Sequence, residues 1–403
     1  MATRRNPSPS GREATSVQHD QVIYLDHNAT TPLDEAVFAQ MRPFFVEHFG
    51  NSASRTHTFG QIAQSAVEGA RESVAKLIGC DSRGIIWTSG ATESNNLAIK
   101  GVTHALRGQG RHVVTQATEH PAVLDPCVFL REQGFDVTVL PVDQDGIVSP
   151  ESLARAIRSD TVLVSIMYAN NETGVVQPIA ELAKLCRKNG ILFHTDATQA
   201  IGKLEVNVKD LGVDLLSLSA HKLYGPKGVG ALFVRPGLPK VRLAPQLHGG
   251  GHERGLRSGT LNVPGIVGFG AAAAASIQTA LRHSSRIGKL REQLETGLLT
   301  LGGVEIHGSR APRLPNTTSA AFHGLDAEAA LVAMPSLALS TGSACTSLSV
   351  EPSHVLQAMG VSDANIRGTI RFSLGRSTTA AEIEHTLLEL EQTVSRLRAL
   401  RFA

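Results

Sequence analysis

From Gln21 onward, short apolar runs rich in Val, Ile and Leu alternate with segments whose apolar positions recur at helical spacing. That alternation is the pattern of βαβ units feeding a largely parallel sheet. It predicts buried strands at Gly84–Thr88, His112–Gln116, Val137–Leu140, Val162–Met167, Ile191–Thr195, Val213–Ser217 and Ala231–Val234. Beyond Pro264 the pattern shifts to longer helical stretches with fewer strands. Near the end of the chain Thr379 and Glu382 form a capping box ahead of Ile383, Leu387, Leu390, Val394 and Leu397, which predicts an amphipathic helix. The expectation is an α/β protein: a large, mostly parallel sheet domain over residues 33–275, and a smaller α+β domain made of residues 21–32 with 276–403. Residues 1–20 carry Arg4, Arg5, Arg12, Ser and Pro but no apolar stretch, and are expected to form a disordered tail rather than a secretory signal. Their Arg and Ser content leaves an organellar targeting segment as the rival reading, against which Glu13 and Asp20 weigh.

Composition narrows the class. A length of 403 residues gives room for two to three domains at about 150 residues each, and 42% apolar with 18% charged residues excludes a disordered chain. Lys plus Arg number 38 against 36 Asp plus Glu, and no basic run stands out, so nucleic-acid binding is not expected. The most apolar stretch, Val263–Ser276, is too short to span a bilayer and holds Pro264, Gly265, Gly268 and Gly270, so no membrane anchor is expected. Cys80, Cys127, Cys186 and Cys345 are far apart with no CxxC pair, which argues against a disulfide framework or a thiolate zinc site and points to a reducing, cytoplasmic compartment. His248 and His252 have a helical ligand spacing, but the three glycines between them disfavour a helix, and no metal site is expected. The sequons at Asn28 and Asn316 are expected to be idle.

Open α/β sheets bind ligands beyond the carboxyl ends of their strands, so the residues following each strand carry the chemistry. The run Thr88–Asn95, with Ala91 and Thr92, is a small-residue turn opening a helix, which suits a phosphate although it is also an ordinary cap. Glu119-His120 and Asn170-Asn171-Glu172 follow the next strands and taken alone read as structural. Asp196 ends one strand, and Ser219-Ala220-His221-Lys222 ends its neighbour. An Asp196–Lys222 salt bridge is the plain reading. The sharper one is pyridoxal phosphate (PLP): Lys222 forms the Schiff base, Asp196 meets the protonated pyridine nitrogen, and the Thr92 turn with Ser219 and His221 takes the phosphate.

These motifs, together with Tyr24-Leu25-Asp26, Ala29–Pro32, Asp196–Gln199, His248–Arg254, Arg257–Thr260, Ser343–Ser347, Glu351-Pro352-Ser353 and Arg371–Arg376, resemble the NifS/IscS-type cysteine desulfurases from about Val22 to Arg398. The resemblance implies a fold-type I PLP-dependent transferase, normally a homodimer. Such an enzyme converts L-cysteine to L-alanine and leaves a persulfide on Cys345, in a mobile loop over residues 340–353, for a sulfur-acceptor protein. It further implies that His120 stacks on the pyridine ring and shuttles protons, and that Gln199 binds the ring oxygen. Asn171 and Arg371 would hold the substrate carboxylate, and Thr260 would reach the phosphate in the partner subunit. His27-Asn28 and Ala220 depart from the familiar pattern. The chain stops at Arg401-Phe402-Ala403 without the tail that contacts the iron-sulfur scaffold in housekeeping members, which leaves the acceptor open between iron-sulfur assembly and other thiolation pathways. A selenocysteine or cystine lyase, an aminotransferase, and a non-catalytic partner-binding scaffold are the competing readings.

Overall fold

The computed structural model describes residues 22–341 and 352–400, the side chains of residues 280 and 281 excepted. The strands are β1 (Ile23–Tyr24), β2 (Ile85–Thr88), β3 (His112–Gln116), β4 (Asp136–Leu140), β5 (Thr161–Ser165), β6 (Leu192–Asp196), β7 (Leu215–Ser219), β8 (Gly230–Val234), β9 (Val304–Ile306), β10 (Thr317–Phe322), β11 (Leu337–Ala338) and β12 (Thr369–Ser373). Seven of them form one sheet in the order β2-β8-β7-β6-β5-β3-β4. Neighbours from β4 to β7 pair in parallel, and β8 runs antiparallel to both β7 and β2. The carboxyl ends of β2 to β7 therefore all emerge on one edge, which is where the sequence motifs converge.

Each predicted strand is present, and two are displaced for identifiable reasons. The strand expected over Val162–Met167 leaves the ladder after Ser165, because the Met167 amide is taken by the buried Glu119 carboxyl. The one expected at Val213–Ser217 runs Leu215–Ser219, because the Asp214 carboxyl is drawn aside to accept from the Phe193 amide and from Arg235. Helices cover both faces of the sheet, which is why strands such as β2, β3, β5 and β7 are buried along their whole length. One apolar cluster gathers Val67, Val74, Trp87, Val164, Phe193 and Phe269, and a second on the other face holds Leu97, Val102, Val123, Leu130 and Leu232. A third is centred on β10 and β12, with Leu294, Leu298, Ile383, Leu390 and Val394.

The helix Val263–Thr300 starts on an Asn262 side-chain cap with Pro264 in its first turn, and it serves two of these clusters in succession. Val263, Ile266 and Phe269 pack with the seven-stranded sheet, whereas Ile287, Leu290 and Leu294 pack with β10 and β12. Near its start Gly270 lies against Ala70 of the helix Thr58–Leu77 so closely that a Cβ there would meet the Ala70 Cα at 2.5 Å. The capping box at Thr379 forms as expected, with the Thr379 amide donating to Glu382 (2.7 Å) ahead of the helix Ala380–Leu400. No single helix among the described residues is long and apolar enough to cross a membrane.

Three central strands are also joined by side chains. His194 on β6 links Ser165 on β5 (Nδ1 to Oγ, 2.8 Å) to Ser217 on β7 (Nε2 to Oγ, 2.9 Å). The ring is fully buried, and desolvation lowers its pKa from 6.5 to about 4, with Asp196 opposing. Between those values the unfolded chain holds more protons than the folded one, so this site makes stability fall as pH drops from 6.5 toward 4. In urea unfolding followed from pH 7 to pH 4.5, His194→Leu should be less stable than wild type at neutral pH but lose ~1–2 kcal/mol less on acidification. Parallel pH curves for the two proteins would exclude His194 from the acid lability.

Candidate active site

The polar strand ends surround a cavity of ≈ 570 Å³, within the range of small-molecule and cofactor sites. Ala91, Thr92, His120, Asn171, Asp196, Gln199, Ser219, His221 and Lys222 all line it. The structure thus brings together nine of the residues singled out in the sequence. Arg371 stands one layer back, donating from Nη1 to the Asn171 carbonyl (3.1 Å) and from Nη2 to Asp26 (2.7 Å). Thr260 is exposed and does not line the cavity. Cys345 lies outside the described residues.

One wall is the start of the helix Ala91–Leu106, whose N-terminus at Gly90 has no side-chain cap. Its first-turn amides are left for a ligand, and the helix dipole favours an anion there. Strand β8 presses against this turn: a Cβ on Gly230 would sit 2.6 Å from the Gly90 Cα. Glu93, in the first turn, accepts from Arg257 Nε (2.8 Å) and from the Ser89 amide (2.8 Å). Burial pushes its pKa up, but those bonds outweigh it and hold the carboxyl below its usual range.

The floor is Asp196, 6% exposed at the end of β6. It accepts from Asn95 Nδ2 (2.7 Å) and from the Thr198 amide (2.9 Å). Lys222 does not pair with it: its Nζ donates to the carbonyls of Asn28 and Ala29 (2.7 Å to the latter). The plain salt-bridge reading is therefore replaced by two backbone acceptors from the segment after β1. His120 caps the helix Pro121–Glu132, its Nδ1 accepting from the Ala122 amide (3.0 Å). A ring nitrogen that accepts from N–H carries no proton, so the neutral ring holds its proton on Nε2. Desolvation keeps the ring neutral by lowering its pKa, reinforced by Lys222 and His354 and opposed by Asp196 and Asp125. His221 bonds Thr30 through Nδ1 (3.1 Å), and desolvation, with Lys222 and Lys227, lowers its pKa to about 4.

These donors fit PLP. Among the described residues Asn95 Oδ1 and Thr198 Oγ1 are buried without a partner at the cavity wall, and the Asp196 carboxyl beside them keeps acceptor capacity for an N–H of the ligand. An uncapped helix start with Ser219 and His221 supplies donors for a phosphate, and Lys222 supplies the amine.

Several participants have no individual role in the sequence reading. In the sequence Asn95 reads only as part of a helix start, although its spacing from Thr92 places both on one helix face. Asn28, Glu93, Lys203 and Arg257 were not read as site residues, and the backbone carbonyls that take Lys222 leave no trace in residue identity. The cysteines other than Cys345 are inert by environment: burial pushes Cys80, Cys127 and Cys186 up to about 12. Among the described residues no group of three or more His, Cys, Asp or Glu is placed to hold a metal ion.

Residues 23–386 match the Aminotransferase class-V family. A cysteine desulfurase IscS of Anaeromyxobacter sp. (strain Fw109-5) is 52% identical over 379 residues, covering 94% of each chain. A solved NifS-like protein superposes with a TM-score of 0.86 at 39% identity, over 93% of this chain and 99% of its own. A structure described as SspA in complex with cysteine does so with a TM-score of 0.78 at 37% identity, over 88% and 99%. The chain belongs to the class-V aminotransferase family of fold-type I PLP enzymes, within its IscS- and NifS-like cysteine desulfurases.

Proposed function

We propose that this PLP-dependent cysteine desulfurase draws sulfur from L-cysteine through Lys222, His120 and Cys345, and passes it to an acceptor protein of iron-sulfur assembly or another thiolation pathway. The convergence of Asp196, His120, Gln199 and Lys222 on one cavity with an uncapped helix start carries the reading. The structural relative described as SspA in complex with cysteine supports that substrate.

Lys222 would hold the cofactor, Ala91, Thr92, Ser219 and His221 its phosphate, Gln199 its ring oxygen, and Asp196 its pyridine nitrogen. Bound there, PLP supplies an electron sink for charge developing at the substrate Cα. Lys222 Nζ takes the α-proton, and Asn171 would meet the substrate carboxylate with Arg371 behind it, donating to the Asn171 carbonyl. His120 presents a neutral ring with its proton on Nε2 to the reacting centre. The Cys345 thiolate attacks the substrate sulfur: an S–S bond forms, the Cβ–S bond breaks, and the protonated carbon skeleton leaves as alanine. The high thiol pKa values of Cys80, Cys127 and Cys186 disqualify them as nucleophiles at neutral pH.

Free thiols and the absence of a membrane-crossing helix among the described residues favour the cytoplasm. The apolar clusters on the two faces of the large sheet, separate from the one on β10 and β12, support reading residues 33–275 as a large domain and 21–32 with 276–403 as a small one. A homodimer is supported by exposed aromatic side chains on neighbouring segments, Phe38, Phe45, Phe49 and Phe59, with Phe49 and Phe59 ring centroids 5.3 Å apart.

Cys345→Ser should keep the yellow cofactor and bind cysteine but form no persulfide on the protein. Persulfide detected by mass spectrometry at the wild-type level in that variant would remove Cys345 from the mechanism. Asp196→Ala should lower turnover on the order of 100-fold or more while retaining much of the cofactor; undiminished activity would contradict the role of the carboxylate. In sedimentation velocity, Phe45→Asp combined with Phe49→Asp should convert a dimer to a monomer, whereas an unchanged sedimentation coefficient would place the interface elsewhere.

A further inference from the structure

Behind the cavity wall, Lys203 makes two hydrogen bonds to amide oxygens: Nζ to Gln199 Oε1 (2.7 Å) and to Asn28 Oδ1 (3.0 Å). Its stem is partly accessible, but the ammonium end is enclosed, so burial drives its pKa well below 10.5, with Lys222 and Arg371 adding repulsion. Its other neighbour is His27, which the Lys203 charge helps keep neutral. A second, smaller void of ≈ 60 Å³ is lined in part by Lys203, Lys222 and His27. A buried ammonium set among cations is costly, and a solvent-facing fold does not require one at this position.

We propose that Lys203 is a positioning residue for the cofactor: it fixes the Gln199 side-chain amide so that an N–H, and not the carbonyl oxygen, faces the ring oxygen of PLP. Lys203 Nζ donates to both Gln199 Oε1 and Asn28 Oδ1, so the Gln199 amide turns its oxygen toward it. Nε2 is then forced to the opposite side, where one N–H goes to the Asn28 carbonyl (2.9 Å) and the other faces the cavity that Gln199 lines. Without Lys203 the Asn28 carbonyl is left as the partner that holds this orientation among the described residues, and a turned amide would set the Gln199 carbonyl against the ring oxygen. The inference rests on the reading of this cavity as the PLP site and adds a residue that does not itself touch the cofactor.

A donor on the ring oxygen weakens its hold on the proton it shares with the Lys222 nitrogen, so that proton leaves at lower pH. Losing the donor raises that pH. The measurement is the pH at which the visible band of the purified, cofactor-loaded protein converts, for wild type, Lys203→Met, Lys203→Gln, Gln199→Leu and Lys203→Met with Gln199→Leu. Lys203→Met and Gln199→Leu should each move the conversion upward by about one pH unit, and the double variant should move it no further. Lys203→Gln, which can still donate to Oε1 without a charge, should restore more than half of the shift. The proposal is overturned if Lys203→Met leaves the conversion where wild type has it, if the two single shifts add, or if Lys203→Gln behaves like Lys203→Met. Should Lys203→Met fail to fold, as judged by circular dichroism, Lys203→Gln decides alone: it must convert within about half a unit of wild type. Wild-type protein that shows no visible band would instead overturn the PLP reading itself.

Discussion

Asn28 is the constraint on which the site depends, because every polar atom it offers is used. Its amide donates to Ser373 Oγ (2.9 Å), and its side-chain nitrogen donates to the Asn171 carbonyl (3.1 Å) and Thr317 Oγ1 (2.9 Å). Its carbonyl accepts from Lys222 and Gln199, and its side-chain oxygen accepts from Lys203 (3.0 Å) and Asn316 (3.1 Å). One residue, 1% exposed, thereby ties β10 and β12 to the loop after β5 and to the strand ends carrying Gln199 and Lys222. Replacing such a hub leaves several buried donors and acceptors unpaired at once, each costing about 1–3 kcal/mol. It also explains the idle sequons: Asn28 and Asn316 bond each other inside the fold, beyond the reach of a glycan.

Charge follows from the same geometry. Lys222, Lys203 and Arg371 meet where the two polar layers join, and the carbonyls of Asn28, Ala29 and Asn171 take part of their hydrogen bonding. Carbonyl dipoles satisfy donors without neutralising charge, whereas the Asp26 carboxylate neutralises Arg371. A site built this way is primed for anions, and both a cofactor phosphate and a substrate carboxylate are anions. The histidines around it respond in the expected sense: His27 and His221 are pushed down to about 4 by burial with cations close by, so they do not add further positive charge at neutral pH.

The sheet and the residues closing its strands were legible because burial on both faces writes strands as continuous apolar runs, and because a parallel sheet forces their ends to one edge. Lys222, Asp196 and His120 could be found for that reason. Two kinds of information were not legible. Strand ends set by side chains from elsewhere, such as Glu119 taking the Met167 amide, depend on contacts remote in sequence. Contributions made through backbone, such as the two carbonyls that hold Lys222, depend on chain path and not on residue type. Asn28 combines both, and in the sequence it showed only as a departure from a familiar pattern beside a sequon.

His120 shows how a fold-level device sets chemistry. The helix Pro121–Glu132 begins with an amide that needs an acceptor, and the capping atom is His120 Nδ1. Protonating that nitrogen would break the cap, which in other proteins costs about 0.5–2 kcal/mol, so the cap and burial act in the same direction on the ring. The imidazole is held neutral, its proton placed on Nε2, and its plane fixed by the helix it starts. The roles proposed for His120, stacking on a flat cofactor and exchanging protons, call for all three properties. Here the cap supplies the tautomer and the plane while burial supports the neutral state, so removing the Ala122 amide donor, as a proline at 122 would, disturbs the tautomer without replacing His120 itself.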